Sequence, residues 1–289
     1  MTKFLLSTGT FLVLIYLAIC LGLWFWQNRL MFVPAQFIYL TPEDLAMAYE
    51  DVWLEVGNGE KLHGWWLPAN YQTEKVLLYL HGNGGNVGDN LEHARRFQRL
   101  GFSVLLIDYR GYGRSQGNFP TEAQVYEDAG IAWDYLVETR QIKPQNIFFY
   151  GHSLGGAIAI DLAVKKPDIA GLIVQGTFTS MKDMVGVRKE YRFFPNLLVH
   201  QKFDSIDKVQ ELKMPVLVIH GTSDEIIPYT MSEELYEVLR VPKQLYLVPN
   251  AGHNDVATIA GVKYQEKIKE FVQLVLRPKS NQEVRNRVK

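Results

Sequence analysis

The segment at residues 146–163 reads NIFFYGHSLGGAIAIDLA and is the most informative part of the chain about its fold. Its first five residues are mostly apolar and predict a strand, and the apolar stretch after the glycines predicts a helix. Residues 151–155, between them, have the pattern G-x-S-x-G, which places a serine on a sharp turn with its hydroxyl projecting from the sheet edge. Ser153 is therefore the candidate nucleophile, and the flanking strand and helix make a chance turn serine the weaker interpretation.

Apolar runs and amphipathic stretches alternate along most of the chain. The predicted strands are 51–56, 62–67, 76–80, 103–107, 146–150, 170–174, 215–219 and 244–248. The predicted helices are 88–100, 122–139, 154–165, 231–238 and 262–276. Short uninterrupted apolar runs are typical of strands buried on both faces, so the pattern predicts an α/β fold with a mostly parallel eight-stranded sheet and helices on both faces. The first two strands have no helix between them and are expected to form a hairpin at the sheet edge.

Four motifs resemble those of a known family. They are NRLMFVP at 28–34, HGNGGN at 81–86, DYRGYGRS at 108–115 and GHSLGG at 151–156. With them the chain resembles the α/β-hydrolases over residues 45–275, and more narrowly the Bem46-type membrane-anchored hydrolases. The resemblance implies the α/β-hydrolase fold with a short cap, a Ser-Asp-His triad in that chain order, and no cofactor.

A nucleophilic serine needs a base to take its proton and a carboxylate to orient that base. His253 lies in the loop after the last predicted strand, where the resemblance implies the base. Asp224 lies in the loop after the preceding strand and matches the acid position of the family. Glu225 and Asp255 are the weaker alternatives, because the side chain of Glu225 should point elsewhere and Asp255 fits a solvated loop residue.

The other six histidines are interpreted as structural or surface residues. His152 is the variable residue inside the serine motif, His81 opens the glycine-rich loop, and His220 ends a strand just before the acid loop. No motif supports a catalytic role for the remaining three, which are His63, His93 and His200.

The glycine-rich loop at residues 81–86 is expected to bind a developing oxyanion. Its glycines let backbone N–H groups approach a substrate, and the fold places one donor after the nucleophile, at Leu154, and another in this loop. The family resemblance implies that the loop donor is Asn83. A phosphate-binding loop is the alternative, but the Lys-Ser/Thr ending and the G-x-G-x-x-G spacing are both missing. The motif at 108–115 is expected to be a structural turn, with pocket lining as the alternative.

The alternation of strands and helices breaks between residues 177 and 212, where the fold predicts a short cap over Ser153 at about 178–211. The apolar residues of this segment favour an apolar acyl group, although filling the core of the cap itself explains them equally well. They are Phe178, Met181, Met184, Val185, Tyr191, Phe193, Phe194, Leu197 and Leu198.

The composition is that of an ordinary globular protein, with one local exception. The 289 residues are 47% hydrophobic and carry a net charge of −1, which argues against disorder, a multi-span transporter and nucleic acid as the main partner. Residues 4–26, however, contain no charged side chain and are long enough to cross a hydrocarbon core of ~30 Å. Trp24, Phe25 and Trp26 end this run, where aromatic rings favour the headgroup level. The segment predicts a single transmembrane helix in a lipid bilayer.

A cleaved signal peptide and a lipoprotein signal at Cys20 are the alternatives, but the apolar run is long and lacks a small-residue cleavage site. The predicted organisation is an anchor at 1–27, a neck at 28–48, a hydrolase domain at 49–277 and a basic tail at 278–289. The tail fits a solvated segment, with contact to an anionic membrane surface as the alternative. The short N-terminal tail favours a catalytic domain on the non-cytoplasmic side.

These features predict a membrane-anchored serine hydrolase that cleaves an ester or thioester through an acyl-enzyme. The expected partner is a small acyl or lipid-like substrate or an acylated protein, because the family that the chain resembles includes protein depalmitoylases. A serine nucleophile disfavours dehalogenase and epoxide hydrolase chemistry, which use aspartate in this fold. A serine peptidase and a non-catalytic membrane scaffold are the alternatives, and an intact triad argues against the scaffold.

Overall fold

A computed structural model gives the structure of residues 2–57, 59–187 and 193–277. Tyr191 of the predicted cap and the basic tail at 278–289 lie outside these residues. The strands are β1 (Val33–Pro34), β2 (Glu50–Glu55), β3 (Lys61–Leu67), β4 (Val76–Leu80), β5 (Gly84–Gly85), β6 (Ser103–Ile107), β7 (Ile147–His152), β8 (Gly171–Gln175), β9 (Val216–Gly221) and β10 (Lys243–Val248). The helices are α1 (Thr2–Met31), α2 (Val87–Arg99), α3 (Glu122–Asp134), α4 (Leu154–Lys165), α5 (Met181–Val187), α6 (Ser205–Lys208), α7 (Thr230–Val238), α8 (Val256–Ala260) and α9 (Val262–Leu276).

Eight of these strands form one sheet in the order β10-β9-β8-β7-β4-β6-β3-β2. β2 pairs antiparallel with β3, and β3 pairs antiparallel with β6, whereas all the other pairs are parallel. The predicted α/β-hydrolase fold, with a mostly parallel eight-stranded sheet and an edge hairpin, is therefore confirmed. The predicted helix at 122–139 is divided, because α3 continues as a π-helical turn over Tyr135–Thr139.

Apolar side chains cover both faces of the sheet and form two cores. On one face, Ala129 of α3, Ile158 of α4 and Leu235 of α7 are almost completely buried. On the other face, Phe97 of α2 and Phe271 of α9 are fully buried. Burial on both faces explains why the central strands are continuous apolar runs rather than alternating ones.

The carboxyl ends of the parallel strands position the predicted site. Asn83 follows β4, Ser153 follows β7, Asp224 follows β9 and His253 follows β10. Because these ends meet at one edge of an open parallel sheet, residues far apart in the sequence lie in neighbouring loops.

The segment after α1 is ordered against the glycine-rich loop, which the sequence patterns did not predict. The helix continues to Met31, four residues into the predicted neck, and β1 then pairs in parallel with β5. Asn86 joins the two: its side-chain Nδ2 donates to the carbonyl oxygens of Ala35 (3.1 Å) and Phe37 (2.8 Å). Its Oδ1 accepts the N–H of Gly88 at 2.9 Å and caps α2.

Replacing Asn86 should therefore cost more than the loss of a helix cap. We expect Asn86→Ala to lower the free energy of unfolding by about 2–3 kcal/mol, because it removes the cap and two partly buried hydrogen bonds. The matched control is Thr121→Ala, which removes the side-chain cap of α3 and should cost about 1 kcal/mol. Urea unfolding of the detergent-solubilised protein measures both losses, and equal losses would contradict a role for Asn86 in holding the neck.

Candidate active site

Ser153 lies on a tight turn between β7 and α4. Its backbone angles are φ 55° and ψ −122°, a conformation that residues with side chains rarely adopt and that the surrounding contacts must maintain. A Cβ on Gly155 would lie 2.1 Å from the carbonyl oxygen of Leu80, and a Cβ on Gly151 would lie 2.2 Å from the carbonyl oxygen of Gly155. The motif thus needs both glycines, because strand and helix pack too closely at this turn for any side chain.

His253 and Asp224 form a hydrogen-bonded pair beside this turn. Nδ1 of His253 lies 2.6 Å from Oδ2 of Asp224, so the imidazole donates from Nδ1 and its Nε2 remains an acceptor. The other oxygen of Asp224, Oδ1, accepts the backbone N–H groups of Ile226 at 2.8 Å and Ile227 at 2.9 Å. These contacts fix both the orientation and the tautomer of the His253 ring.

A second histidine contacts the same carboxylate. Nε2 of His220 lies 3.0 Å from Oδ2 of Asp224, while its Nδ1 lies 2.6 Å from Oγ of Ser232. Burial by itself would raise the pKa of Asp224, but hydrogen bonds from His220, His253 and the N–H of Ile227 outweigh it and hold the pKa well below its usual value. No sequence motif indicates a role for His220, and its place four residues before the acid is the one signal that could have indicated this contact.

The ring of His152 packs against that of His253. The two ring centroids are 4.9 Å apart, and Nε2 of His152 lies 3.2 Å from the backbone oxygen of His253. Burial lowers the pKa of His152 to about 4, and the neighbouring His253 contributes to this shift. His152 is therefore uncharged at neutral pH, and it packs against the other imidazole without adding a positive charge. No sequence signal marked this position, because the motif accepts any residue there.

Leu154 and Asn83 line the same cavity as Ser153 and His253. Leu154 is the first residue of α4, so helix geometry provides no intrahelical acceptor for its N–H. The loop of Asn83 touches the serine, since a Cβ on Gly82 would lie 3.2 Å from Cβ of Ser153. The structure thus brings the five predicted site residues together at one sheet edge, and their catalytic roles stay a prediction.

The turn at residues 108–115 holds the backbone of the glycine-rich loop. The hydroxyl of Tyr109 donates to the carbonyl oxygen of His81 at 3.1 Å, and the hydroxyl of Tyr112 donates to that of Asn83 at 2.7 Å. Both tyrosines and His81 are buried. The turn is therefore structural, as expected, and it fixes the loop that contains the predicted oxyanion donor.

A cavity of about 960 Å³ opens onto Ser153. This volume is near the upper end of the range of about 300–1,000 Å³ for small-molecule sites. One part of its wall is polar and includes Tyr79, His93 and Gln175. The cap forms an apolar part of the wall, with Phe178, Met181, Met184, Val185, Phe194 and Leu198. These six residues therefore line the cavity, whether they bind an acyl group or mainly fill the core of the cap.

The helix α1 also contributes to the wall, through Leu23, Gln27, Leu30 and Met31. No sequence pattern indicated this contact, because the apolar character of α1 is explained by a membrane span alone. Two other predicted cap residues, Phe193 and Leu197, are instead exposed, with 68% and 77% of their surface accessible.

Sequence comparison identifies the family. A family model described as "Serine aminopeptidase, S33" matches residues 71–209, and another described as "PhoPQ-activated pathogenicity-related protein" matches residues 186–289. The chain is 36% identical to protein bem46 of Schizosaccharomyces pombe over 243 residues. This alignment covers 80% of this chain and 79% of that protein. The chain belongs to the Bem46-like α/β-hydrolases.

Further relatives agree with this membership. The hydrolase is 31% identical to human α/β-hydrolase domain-containing protein 17B over 226 residues. The aligned part is 78% of this chain and 75% of that protein. Among solved structures, an esterase of Pyrococcus furiosus superimposes with a TM-score of 0.71 at 20% identity, covering 84% of this chain and 97% of that one. At that identity the structural likeness shows the shared fold.

The shifted pKa of His152 predicts an acid-dependent loss of stability in this Bem46-like hydrolase. The pKa is about 4 in the folded protein and 6.5 without the fold, so the unfolded chain binds the proton more readily. Above pH 6.5 the ring is neutral in both states and the full stability is present. As the pH falls from 6.5 towards 4, the unfolded chain takes up the proton and the free energy of unfolding decreases. The melting temperature of His152→Gln should therefore fall less than that of the wild type over this range, as followed by circular dichroism. Parallel curves for the two proteins would show that His152 is not buried as a neutral ring.

Proposed function

We propose that this protein is a membrane-anchored serine hydrolase that cleaves an ester or thioester bond in an acyl or lipid-like substrate. The observation that carries the proposal is the 2.6 Å hydrogen bond between Nδ1 of His253 and Oδ2 of Asp224, beside a cavity that Ser153 also lines. This bond leaves Nε2 of the imidazole as the acceptor for the serine proton, as nucleophilic catalysis by serine requires.

The first half of the reaction forms an acyl-enzyme. Oγ of Ser153 attacks the carbonyl carbon while His253 takes the hydroxyl proton. The carbonyl oxygen becomes an oxyanion, which the backbone N–H groups of Leu154 and Asn83 stabilise. When the tetrahedral intermediate collapses, the bond to the leaving oxygen or sulfur breaks, and the His253 imidazolium returns the proton to that atom. In the second half, His253 activates a water molecule, which releases the acid and regenerates the serine.

Asp224 contributes by remaining ionised throughout the cycle. Its pKa is held well below the usual range although the side chain is fully buried, because hydrogen bonds outweigh the cost of burial. A carboxylate at Nδ1 stabilises the imidazolium that forms at each proton transfer and keeps the ring in the productive tautomer. The chemistry therefore needs no proton transfer to the acid.

The apolar wall of the cavity favours an acyl chain as the group that binds beside Ser153. Eight cap residues present apolar side chains there, and burying each methylene contributes about 0.8 kcal/mol. An acylated protein would present the same chain in a thioester or ester. A serine peptidase is the alternative that the S33 aminopeptidase family model favours, since amide hydrolysis would use the same residues. A non-catalytic scaffold leaves the hydrogen-bonded acid–base pair and the strained serine without a function.

The helix α1 supports the membrane part of the proposal. Residues Thr8–Met31 are long and apolar enough to cross a membrane, and almost none of this stretch is buried in the protein. Phe11, Leu14 and Leu17 each expose half or more of their surface. Exposed apolar surface of this extent is expected where lipid covers it. The side of the membrane on which the domain lies stays a prediction.

Covalent labelling tests the nucleophile. The detergent-solubilised wild type should react with a fluorescent fluorophosphonate, because the activated serine attacks phosphorus as it attacks a carbonyl. Ser153→Ala should lose this labelling, and Ser223→Ala, which changes an exposed serine near the acid, should retain it. In-gel fluorescence measures both. Labelling that persists in Ser153→Ala would refute the assignment, and an unlabelled wild type would favour the scaffold.

A second pair of variants tests the acid. Asp224→Asn should lower kcat for a p-nitrophenyl ester by about 10⁴-fold, because the amide no longer stabilises the imidazolium or its correct tautomer. Glu225→Gln changes the adjacent, exposed carboxylate and should stay within about threefold of the wild type, as expected for a surface position. The comparison is made with purified proteins whose melting temperatures match. A larger loss in Glu225→Gln than in Asp224→Asn would exchange the two assignments.

A further inference from the structure

One face of α1 is part of the cavity that contains Ser153. Leu23, Gln27, Leu30 and Met31 all line it, and their spacing of four, three and one residues places them on one side of the helix. They extend about 12 Å along the helix axis, at about 1.5 Å per residue. Leu23 belongs to the charge-free segment at 4–26 and directly precedes the aromatic run at its end. The cavity therefore reaches the level at which the headgroups of a bilayer are expected.

The cap is attached to this same helix by hydrogen bonds. Nε2 of Gln27 donates to the carbonyl oxygen of Leu198 at 2.9 Å, and Oε1 of Gln27 accepts the N–H groups of His200 at 3.0 Å and Gln201 at 2.9 Å. The ring of Trp24 packs on that of His200, with 4.6 Å between the centroids. Three backbone groups of the cap thus depend on one side chain of α1.

The cap continues along α1 into its most apolar part. The hydroxyl of Tyr16 donates to the carbonyl oxygen of Phe193 at 3.0 Å, and its ring stacks on Phe194 with 6.0 Å between the centroids. Tyr16 lies eleven residues before Gln27, which is about 16 Å along the axis. Phe193 and Leu197 expose apolar side chains on this part of the cap. With α1 in a bilayer, Phe193 and Phe194 would lie beside Tyr16 at the depth of the lipid chains, and Leu198 would lie near the headgroups beside Gln27.

We infer that the acyl chain of the substrate reaches Ser153 from within the bilayer, between α1 and the cap, and that α1 forms one wall of the acyl-binding site. The inference rests on the proposed hydrolase function and adds the route and the specificity determinant. A chain that passes from lipid along Leu23, Leu30 and the apolar side chains of the cap keeps apolar contacts on both sides, which reduces the cost of exposure to water. Leu23 is the residue of α1 at which a larger side chain should shorten the chain that fits.

A chain-length series on the full-length protein in phosphatidylcholine vesicles tests the specificity determinant. Leu23→Trp should lower the ratio of kcat/KM for p-nitrophenyl dodecanoate to that for p-nitrophenyl acetate by about tenfold or more, since added bulk excludes methylenes from an apolar pocket. The matched control is Leu21→Trp, which adds the same bulk at an exposed position and should keep the ratio of the wild type. Equal ratios in the two variants would overturn the inference.

Photo-crosslinking separates a failure of this inference from a failure of the proposed function. The protein carrying Ser153→Ala is reconstituted with a palmitoyl thioester that has a diazirine near the chain end, so that binding is read without turnover. Cross-links should map to Met184 or Phe194, and adding Leu23→Trp but not Leu21→Trp should reduce them. Cross-links confined to Leu14 and Leu17, unchanged by Leu23→Trp, would overturn the inference. Cross-links at the cavity in a protein whose wild type hydrolyses no ester would refute the hydrolase function alone.

Discussion

The close packing of β4, β7 and α4 around Ser153 is the constraint on which the rest of the site depends. Strand and helix approach so closely that Gly151 and Gly155 cannot carry a side chain, and the serine between them adopts a left-handed conformation. Such a residue costs of order 1–3 kcal/mol and persists only when its neighbours hold it. Here the end of β8 and the residues after it hold the serine. The N–H of Ser153 donates to the backbone carbonyl oxygen of Gln175, and the hydroxyl of Thr177 donates to the carbonyl oxygen of Ser153, each at 2.9 Å.

Around this turn, burial disfavours the charged form of both Asp224 and His152, but the two side chains end in different charge states. A buried carboxylate is costly unless it is hydrogen-bonded, and Asp224 has His220, His253 and two backbone N–H groups as partners. It therefore stays ionised. For His152, burial and the neighbouring His253 outweigh its hydrogen bond to the backbone oxygen of His253, so its pKa is lowered and the ring is neutral beside the base. A positive charge that forms on His253 thus faces a carboxylate and no competing imidazolium.

The helix α1 and the strand β1 that follows it contact the site in two places. Directly after the helix, β1 pairs with the glycine-rich loop, and the N–H of Val33 donates to the side-chain oxygen of Asn83 at 3.2 Å. Within the helix, Gln27 holds the cap. The predicted neck thus supports the glycine-rich loop, which contains the predicted oxyanion donor Asn83. The helix proposed as the membrane anchor therefore also supports the geometry of the site.

Sequence patterns were enough to predict the mostly parallel sheet and the nucleophile Ser153, and the resemblance to the α/β-hydrolases added Asp224 and His253. Apolar runs indicate the strands and a glycine spacing indicates the serine, while the rule that parallel strand ends meet at one edge explains why the three loops lie together. Three-dimensional packing, by contrast, places His220 against the acid, His152 against the base, and α1 along the cavity. Gln27 and Leu198 are 171 residues apart, and His152 and His253 are 101 apart. These side-chain contacts come from packing and leave neither a periodic signal nor a motif in the chain, so they could not be predicted from it.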